Sequence, residues 1–279
     1  YAGLLHDFGK VGVREKVLVK RKKLYHGQLD TIRHRFAFLL QQADLEFERE
    51  RADYLMQYGA QGHEATVERL EAVRRARREE LTRFLDAVLR ANEPTVLATG
   101  TFEELKEIES RLYVDHDGAE RPLLEKEELR FLMVRRGNLD EDERREIESH
   151  VSHTYAFLKQ IPWTRELRHV PDIAYAHHEK LNGTGYPRRV QAEMIPVQAR
   201  MMTIADIFDA LTAADRPYKR AVPLERALDI LGMEAREGML DPELLDTFTE
   251  ARVWDALADV PGAVPALPMA TGMGAGTLR

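Results

Sequence analysis

Between Asp30 and Ala91 the chain has no proline, is dense in glutamate and arginine, and spaces its apolar residues by threes and fours. They are Phe36, Leu39, Leu40, Ala43 and Phe47, then Leu70, Val73, Leu81, Phe84, Leu85 and Val88. That period is helical and excludes a strand, in which side chains alternate at every second residue. The run is broken at Gly59-Ala60-Gln61-Gly62. The segment therefore predicts two long amphipathic helices folded back on each other as an antiparallel hairpin.

The 279 residues are enough for one large or two smaller domains, and a 32% charged, 44% apolar composition is that of a globular chain. No apolar run reaches the ~20 residues of a membrane-spanning helix. Cysteine is absent, which excludes disulfide frameworks, thiolate metal sites and cysteine nucleophiles. A net charge of −7 argues against a nucleic-acid polymer as partner. The chain opens at Tyr1 without an initiator methionine and reads as a piece of a longer protein. After the hairpin, a further helix is expected over Phe102–Ile108, and Asp117-Gly118 between apolar runs predicts a small β-hairpin. Asp140, with Glu143 three residues on, predicts a capped helix start. Residues 260–279 mix Pro, Gly, Ala and Thr without periodicity and are expected to be a disordered tail. The fold class is all-α.

Chemistry has to come from imidazoles and carboxylates. His6-Asp7 sits on an expected helix, where neighbouring side chains diverge by about 100° and can reach around one metal or between two. Lys10 follows Asp7 at i+3, on the same face. Such a dipeptide also occurs by chance. His177-His178-Glu179 is rarer and runs into Asn182-Gly183-Thr184-Gly185-Tyr186-Pro187, whose glycines allow a tight loop with amides facing an anion. The alternative is a surface loop with solvated histidines. His150 and His153 are three apart on the helix that Asp140 caps, and one ligand of the two is expected. Asp206 lies within the apolar run Met201–Leu211, where a carboxylate is costly unless paired or metal-bound, whereas Asp209 suits an ordinary salt bridge. His6, Asp7, His150, His177, His178 and Asp206 form a sulfur-free set suited to Fe, Mn, Zn or Ni. Six ligands exceed one zinc site and fit two metals bridged by a carboxylate, the arrangement that acts on phosphoesters.

Four separated signatures, in order, resemble the HD-GYP family of HD phosphohydrolases. They are His6-Asp7-Phe8-Gly9-Lys10, His177-His178-Glu179 through Gly185-Tyr186-Pro187, Ile195–Arg200 with Ala205-Asp206-Ile207-Phe208-Asp209-Ala210-Leu211, and Asp215-Arg216-Pro217-Tyr218-Lys219. The resemblance covers residues 1–24 and 138–250. It implies an HD-domain helical bundle, with 25–137 as an insertion holding the helical hairpin and the small β-hairpin.

It further implies a bacterial, cytoplasmic, metal-dependent phosphodiesterase that hydrolyses cyclic di-GMP to pGpG and onward to GMP by a metal-bridging hydroxide. Two or three divalent ions, Fe or Mn, would be held by His6, Asp7, His150, His177, His178 and Asp206, with Asp7 bridging. Lys10 would act on the scissile phosphate, and Gly185, Tyr186 and Arg216 would bind substrate. Lys10, Lys180, Arg188, Arg189 and Arg216 would supply local positive charge. The family usually has a further ligand, a His or Glu, upstream of the HD pair, and an upstream sensory or receiver domain is expected in the parent protein. The insertion is expected to form a homodimer or relay a signal, with a lid over the substrate as the alternative. Other readings are an HD phosphohydrolase acting on another nucleotide and an impaired cyclic-dinucleotide sensor. His26, His34, His63 and His116 are expected to be ordinary surface or packing residues.

Overall fold

A computed structural model describes residues 1–213 and 221–257. The chain divides into two compact units, Tyr1–Arg14 with the described residues from Glu146 on, and an inserted unit, Glu15–Arg145. Helices account for nearly all regular structure, and the described residues hold one two-stranded sheet. No described helix is long and apolar enough to cross a membrane.

The inserted unit begins with α2 (Glu15–Leu18), the first unit having contributed α1 (Ala2–Leu5). Its body is the expected hairpin, α3 (His26–Tyr58) and α4 (His63–Ala91), reversing through Gly59 and Gly62, both at positive φ. The buried residues of α3 are Ile32, Phe36, Leu39, Ala43 and Phe47, one stripe at intervals of three and four. Ile32, Phe36 and Leu39 pack with Leu81, Phe84 and Val88 of α4 and with Leu105 and Ile108 of α5 (Thr99–Glu109). The predicted β-hairpin is present as β1 (Leu112–Val114) paired antiparallel with β2 (Glu120–Pro122), with Tyr113 opposite Arg121. A helix absent from the sequence reading, α6 (Lys126–Leu132), closes this core with Leu129, Phe131 and Leu132. Its cap is a glutamate rather than the usual Ser, Thr, Asp or Asn: the Glu125 amide donates to Glu128 Oε2 at 2.7 Å.

The unit boundaries differ from the expected domain limits, which kept residues 15–24 and 138–145 with the histidine-bearing segments. A buried polar network holds them in the inserted unit. Glu143 accepts Lys20 Nζ at 2.7 Å and the Tyr25 hydroxyl at 2.6 Å, and the Leu24 amide donates to Asn92 Oδ1 at 2.7 Å. Glu143 also completes the predicted cap of α7 (Glu141–Leu158): its amide donates to Asp140 Oδ1 at 2.8 Å, and the Asp140 amide donates to Glu143 Oε2 at 3.0 Å.

In the first unit, Arg14 Nε donates to Glu146 Oε1 at 2.8 Å, joining the two points where the chain leaves and re-enters. The remaining helices are α8 (Val170–Ala176), α9 (Val197–Thr212), α10 (Leu224–Arg236) and α11 (Pro242–Glu250). Leu5 of α1 packs with Leu158, Val170 and Ala174, while Ile204 and Phe208 of α9 pack with Leu231, Leu240 and Leu245. The expected tail, 260–279, lies outside the described residues.

Candidate metal centre

His6 and Asp7 are not within a helix as the sequence suggested. His6 caps the C-terminus of the one-turn α1, and Asp7 opens a 3-10 turn, Phe8–Gly12. In a 3-10 turn residues three apart eclipse each other, so Asp7 and Lys10 still share a side, with Lys10 Nζ 2.5 Å from Asp7 Oδ2. Gly9 lies directly on α7. A Cβ there would come within 1.9 Å of the His150 carbonyl oxygen and 2.6 Å of the Thr154 nitrogen. Only glycine lets the His6-Asp7 segment approach the helix that carries His150.

Six of the expected residues converge. One ligating atom each from Asp7, His150, His177 and His178 lie within 4.8 Å of one another, and His6, His177 and Asp206 form a second such group. Asp7 reaches both, with Oδ1 3.2 Å from His150 Nε2 and Oδ2 3.4 Å from His6 Nε2. Asp206 Oδ1 is 3.5 Å from His6 Nε2. His153 instead packs over Gly12, and His26, His34, His63 and His116 belong to neither group.

The histidine tautomers follow from the hydrogen bonds. His6 Nδ1 lies 2.7 Å from the Gly3 carbonyl, His150 Nδ1 2.5 Å from that of Ile147, and His177 Nδ1 2.6 Å from that of Ala174. A carbonyl only accepts, so each Nδ1 carries the hydrogen, which leaves the inward-facing Nε2 as the lone-pair nitrogen of each ring in its neutral form. These Nε2 atoms and Asp7 Oδ1 are buried without a hydrogen-bond partner, four of the seven such side-chain atoms among the described residues. Orphaned acceptors are costly. A concentration of imidazole and carboxylate acceptors, with Nδ1–H groups tied to the backbone, fits divalent transition metals.

Electrostatics divides the cluster. The Asp206 carboxylate, with Asp7 beside it, raises the His6 imidazole to about 10, so His6 carries a second proton that a metal at Nε2 would displace. Burial lowers His177 to about 4 and His178 to about 3, so both are neutral at pH 7. Burial works against ionised Asp7, but the His150 and His6 rings beside it and the hydrogen bond from Lys10 prevail and hold its carboxyl far below the usual range. Asp206 behaves likewise, burial being outweighed by the His6 ring 3.5 Å away and by His178 and His177.

The loop after His178 departs from expectation. Three of its amides are used internally: Tyr186 N–H donates to the His178 carbonyl at 3.1 Å, and Arg188 and Val190 N–H donate to the two oxygens of buried Glu179 at 2.7 and 3.1 Å. Gly185 is buried, and a Cβ there would meet Lys180 N at 2.3 Å and His178 O at 2.5 Å, which gives packing as the reason for glycine. The Tyr186 ring stacks on His178 with centroids 4.7 Å apart, and burial first, then Glu148, Asp206 and Asp7, raise its hydroxyl pKa so that it remains a phenol. Of the expected basic cluster, Lys180 pairs with Glu234 at 2.7 Å and Lys10 with Asp7, while Arg216 lies outside the described residues. Thr154, Thr203 and the structural work of Glu179 were not foreseen. Their partners are brought close only by folding.

A family model described as an HD domain matches residues 127–244, a stretch that holds His150, His177, His178 and Asp206 but not His6 or Asp7. The chain is 42% identical over 115 residues to a 3'3'-cGAMP-specific phosphodiesterase of Vibrio cholerae, 41% of this chain and 24% of that protein. It is 36% identical over 121 residues to the cyclic di-GMP phosphodiesterase response regulator RpfG of Xanthomonas campestris, 43% of this chain and 31% of that protein. A cyclic di-GMP phosphodiesterase of Thermotoga maritima is 40% identical over 78 residues, 28% of this chain and 20% of that protein. The matched parts thus span less than a third of each relative's length.

Proposed function

Because this chain belongs to the HD-GYP family, we propose that it is a cyclic-dinucleotide phosphodiesterase built on the cluster of His6, Asp7, His150, His177, His178 and Asp206. The observation that carries the proposal is the convergence of four buried ligating atoms without a hydrogen-bond partner, His6 Nε2, Asp7 Oδ1, His150 Nε2 and His177 Nε2, in one place. Those side chains with His178 and Asp206 would hold two divalent ions, Fe or Mn, with Asp7 contacting both groups. Bound there, such ions lower the pKa of water toward neutrality and neutralise phosphate oxygens, the chemistry a phosphodiester requires.

The chain's own groups supply the rest. The Gly3, Ile147 and Ala174 carbonyls fix the histidine rings, so no reorientation is needed when the site fills. Lys10, held beside Asp7, provides positive charge where a phosphate gains negative charge. Tyr186 is a neutral hydroxyl donor next to His178 and suits a phosphate oxygen. Adding one water across one of the two diester bonds of cyclic di-GMP gives pGpG, and a second gives two GMP.

Two substrates compete in this proposal, cyclic di-GMP and 3'3'-cGAMP, because relatives named for each align at similar identity. The proposal includes a bacterial cytoplasmic setting. It also includes a homodimer through the inserted hairpin, whose Met56, Tyr58 and Val73 are exposed. The test is chromatography of products from protein loaded with Mn or Fe without oxygen, given each dinucleotide in turn, beside an Asp7→Ala control. Formation of the linear dinucleotide that disappears in the control supports the proposal. Absence of turnover of both, with dinucleotide still bound, favours a sensor.

A further inference from the structure

His6 follows a helix of only four residues, and His177 caps one of seven. Helices this short do not hold their own ends in place. A metal centre nonetheless tolerates only a few tenths of an ångström in ligand position. Two threonines on the longer helices stand where that restraint is needed.

Thr154 lies on α7 one turn beyond His150 and is completely buried. Its hydroxyl donates to the His6 carbonyl oxygen at 2.9 Å and accepts from the Gly9 N–H at 2.8 Å. A threonine in mid-helix ordinarily turns its hydroxyl back to the carbonyl four residues earlier. Thr154 instead spends both its donor and its acceptor on the His6-Asp7 segment, far away in sequence.

Thr203 repeats the arrangement on α9, one turn before Asp206, and is also buried. Its Oγ1 is 2.7 Å from the His177 carbonyl oxygen and 2.9 Å from that of Ala199, so one hydroxyl hydrogen is shared and the shorter contact goes to the histidine. Each threonine thus ties the main chain of one clustered histidine to a helix bearing another member of the cluster. Thr154 joins His6 to the helix of His150, and Thr203 joins His177 to the helix of Asp206.

We propose that Thr154 and Thr203 are positioning residues of the metal centre, their hydroxyls setting the distances between ligands carried on separate segments. The inference rests on reading the cluster as a metal centre. A purely structural role would satisfy the same carbonyls but would affect only folding stability.

The experiment uses the full chain, stripped of metal, with Thr154→Val, Thr154→Ser, Thr203→Val and Thr203→Ser. Mn²⁺ affinity is measured by calorimetry and the thermal midpoint of the metal-free protein by circular dichroism. Valine keeps the volume and loses the hydroxyl, whereas serine keeps the hydroxyl. Each Val variant is expected to bind Mn²⁺ about ten- to a hundredfold more weakly, as loss of a ligand's supporting partner does elsewhere. The Ser variants are expected to return close to wild type. Val variants that lose only thermal stability and bind Mn²⁺ as wild type does would overturn the proposal, as would Ser variants that lose as much affinity as Val. If one Val variant fails to fold, the Val and Ser pair at the other threonine decides. Wild-type protein that binds no Mn²⁺ would overturn the metal-centre reading itself, and this inference with it.

Discussion

Removing the Glu179 carboxylate should loosen the Tyr186 loop and leave the metal ligands in place. Glu179 is buried and accepts two main-chain hydrogen bonds, from Arg188 at 2.7 Å and Val190 at 3.1 Å, which close the loop that lays Tyr186 on His178. With an alanine there both amides lose their partner. An unsatisfied amide costs about 1–3 kcal/mol, and because these two are only partly buried the lower half applies, roughly 2–4 kcal/mol together. Glutamine is the sharper probe. Its carboxamide accepts from one amide but turns an NH₂ toward the other, so Glu179→Gln should cost about half the alanine penalty or more. Against a total of about 5–15 kcal/mol, either loss is large. Both tryptophans, Trp163 and Trp254, are in the unit that contains Glu179, so urea unfolding followed by their fluorescence reports on that unit. The same variants should raise the KM for the dinucleotide while Mn²⁺ affinity holds. A Glu179→Gln protein as stable as wild type, within about 0.5 kcal/mol, would refute the argument that the carboxylate holds this loop.

Gly9→Ala should be more damaging to the metal centre than to any other part. Its Cβ would press on main-chain atoms of α7, so Mn²⁺ binding is expected to fall along with about 1–3 kcal/mol of stability, and calorimetry showing intact binding would contradict the close approach. Lys23→Met should stabilise the inserted unit by on the order of 1 kcal/mol or more, read from its melting temperature. Lys23 is buried, its Nζ reaches the Leu132 carbonyl at 3.4 Å and no other hydrogen-bond acceptor among the described residues, and burial lowers its pKa. A lysine whose folded pKa lies below its unfolded value of 10.5 destabilises the fold while protonated, so wild-type stability gains from this residue as pH rises through the folded pKa toward 10.5. The methionine variant should show a shallower rise. It keeps some slope because burial lowers Lys20 too, against the opposing pull of Glu143. An unchanged slope would show that Lys23 does not titrate differently in the fold.

What the sequence reveals depends on whether a signal is local. The stripe from Phe36 to Phe47 and the glycines at 59 and 62 are read within one helix or one turn, and they foretell α3, α4 and their reversal. Asp140 and Glu143 are likewise a local pair. The start of α6 escapes because a glutamate pair replaces the residues that usually mark a cap. The six clustered residues are legible by type, since imidazoles and carboxylates in apolar surroundings need partners. Their supports are not. Thr154 meets His6 across 148 positions, and Thr203 meets His177 across 26, with nothing in either local sequence to announce it. The loop glycines mislead for a related reason. Gly185 permits a tight loop, as its residue type implies, but the space it frees is filled by the backbone of residues 178–180 rather than left for an anion.

The account rests on six side chains forming one metal centre, and anomalous X-ray diffraction from crystals of Mn²⁺-loaded protein tests it most directly. The expected result is two strong manganese peaks, one among Asp7, His150, His177 and His178 and one near His6 and Asp206, both lost in Asp7→Ala. Manganese bound elsewhere, with His6 Nε2, His150 Nε2 and His177 Nε2 left unligated, would contradict it.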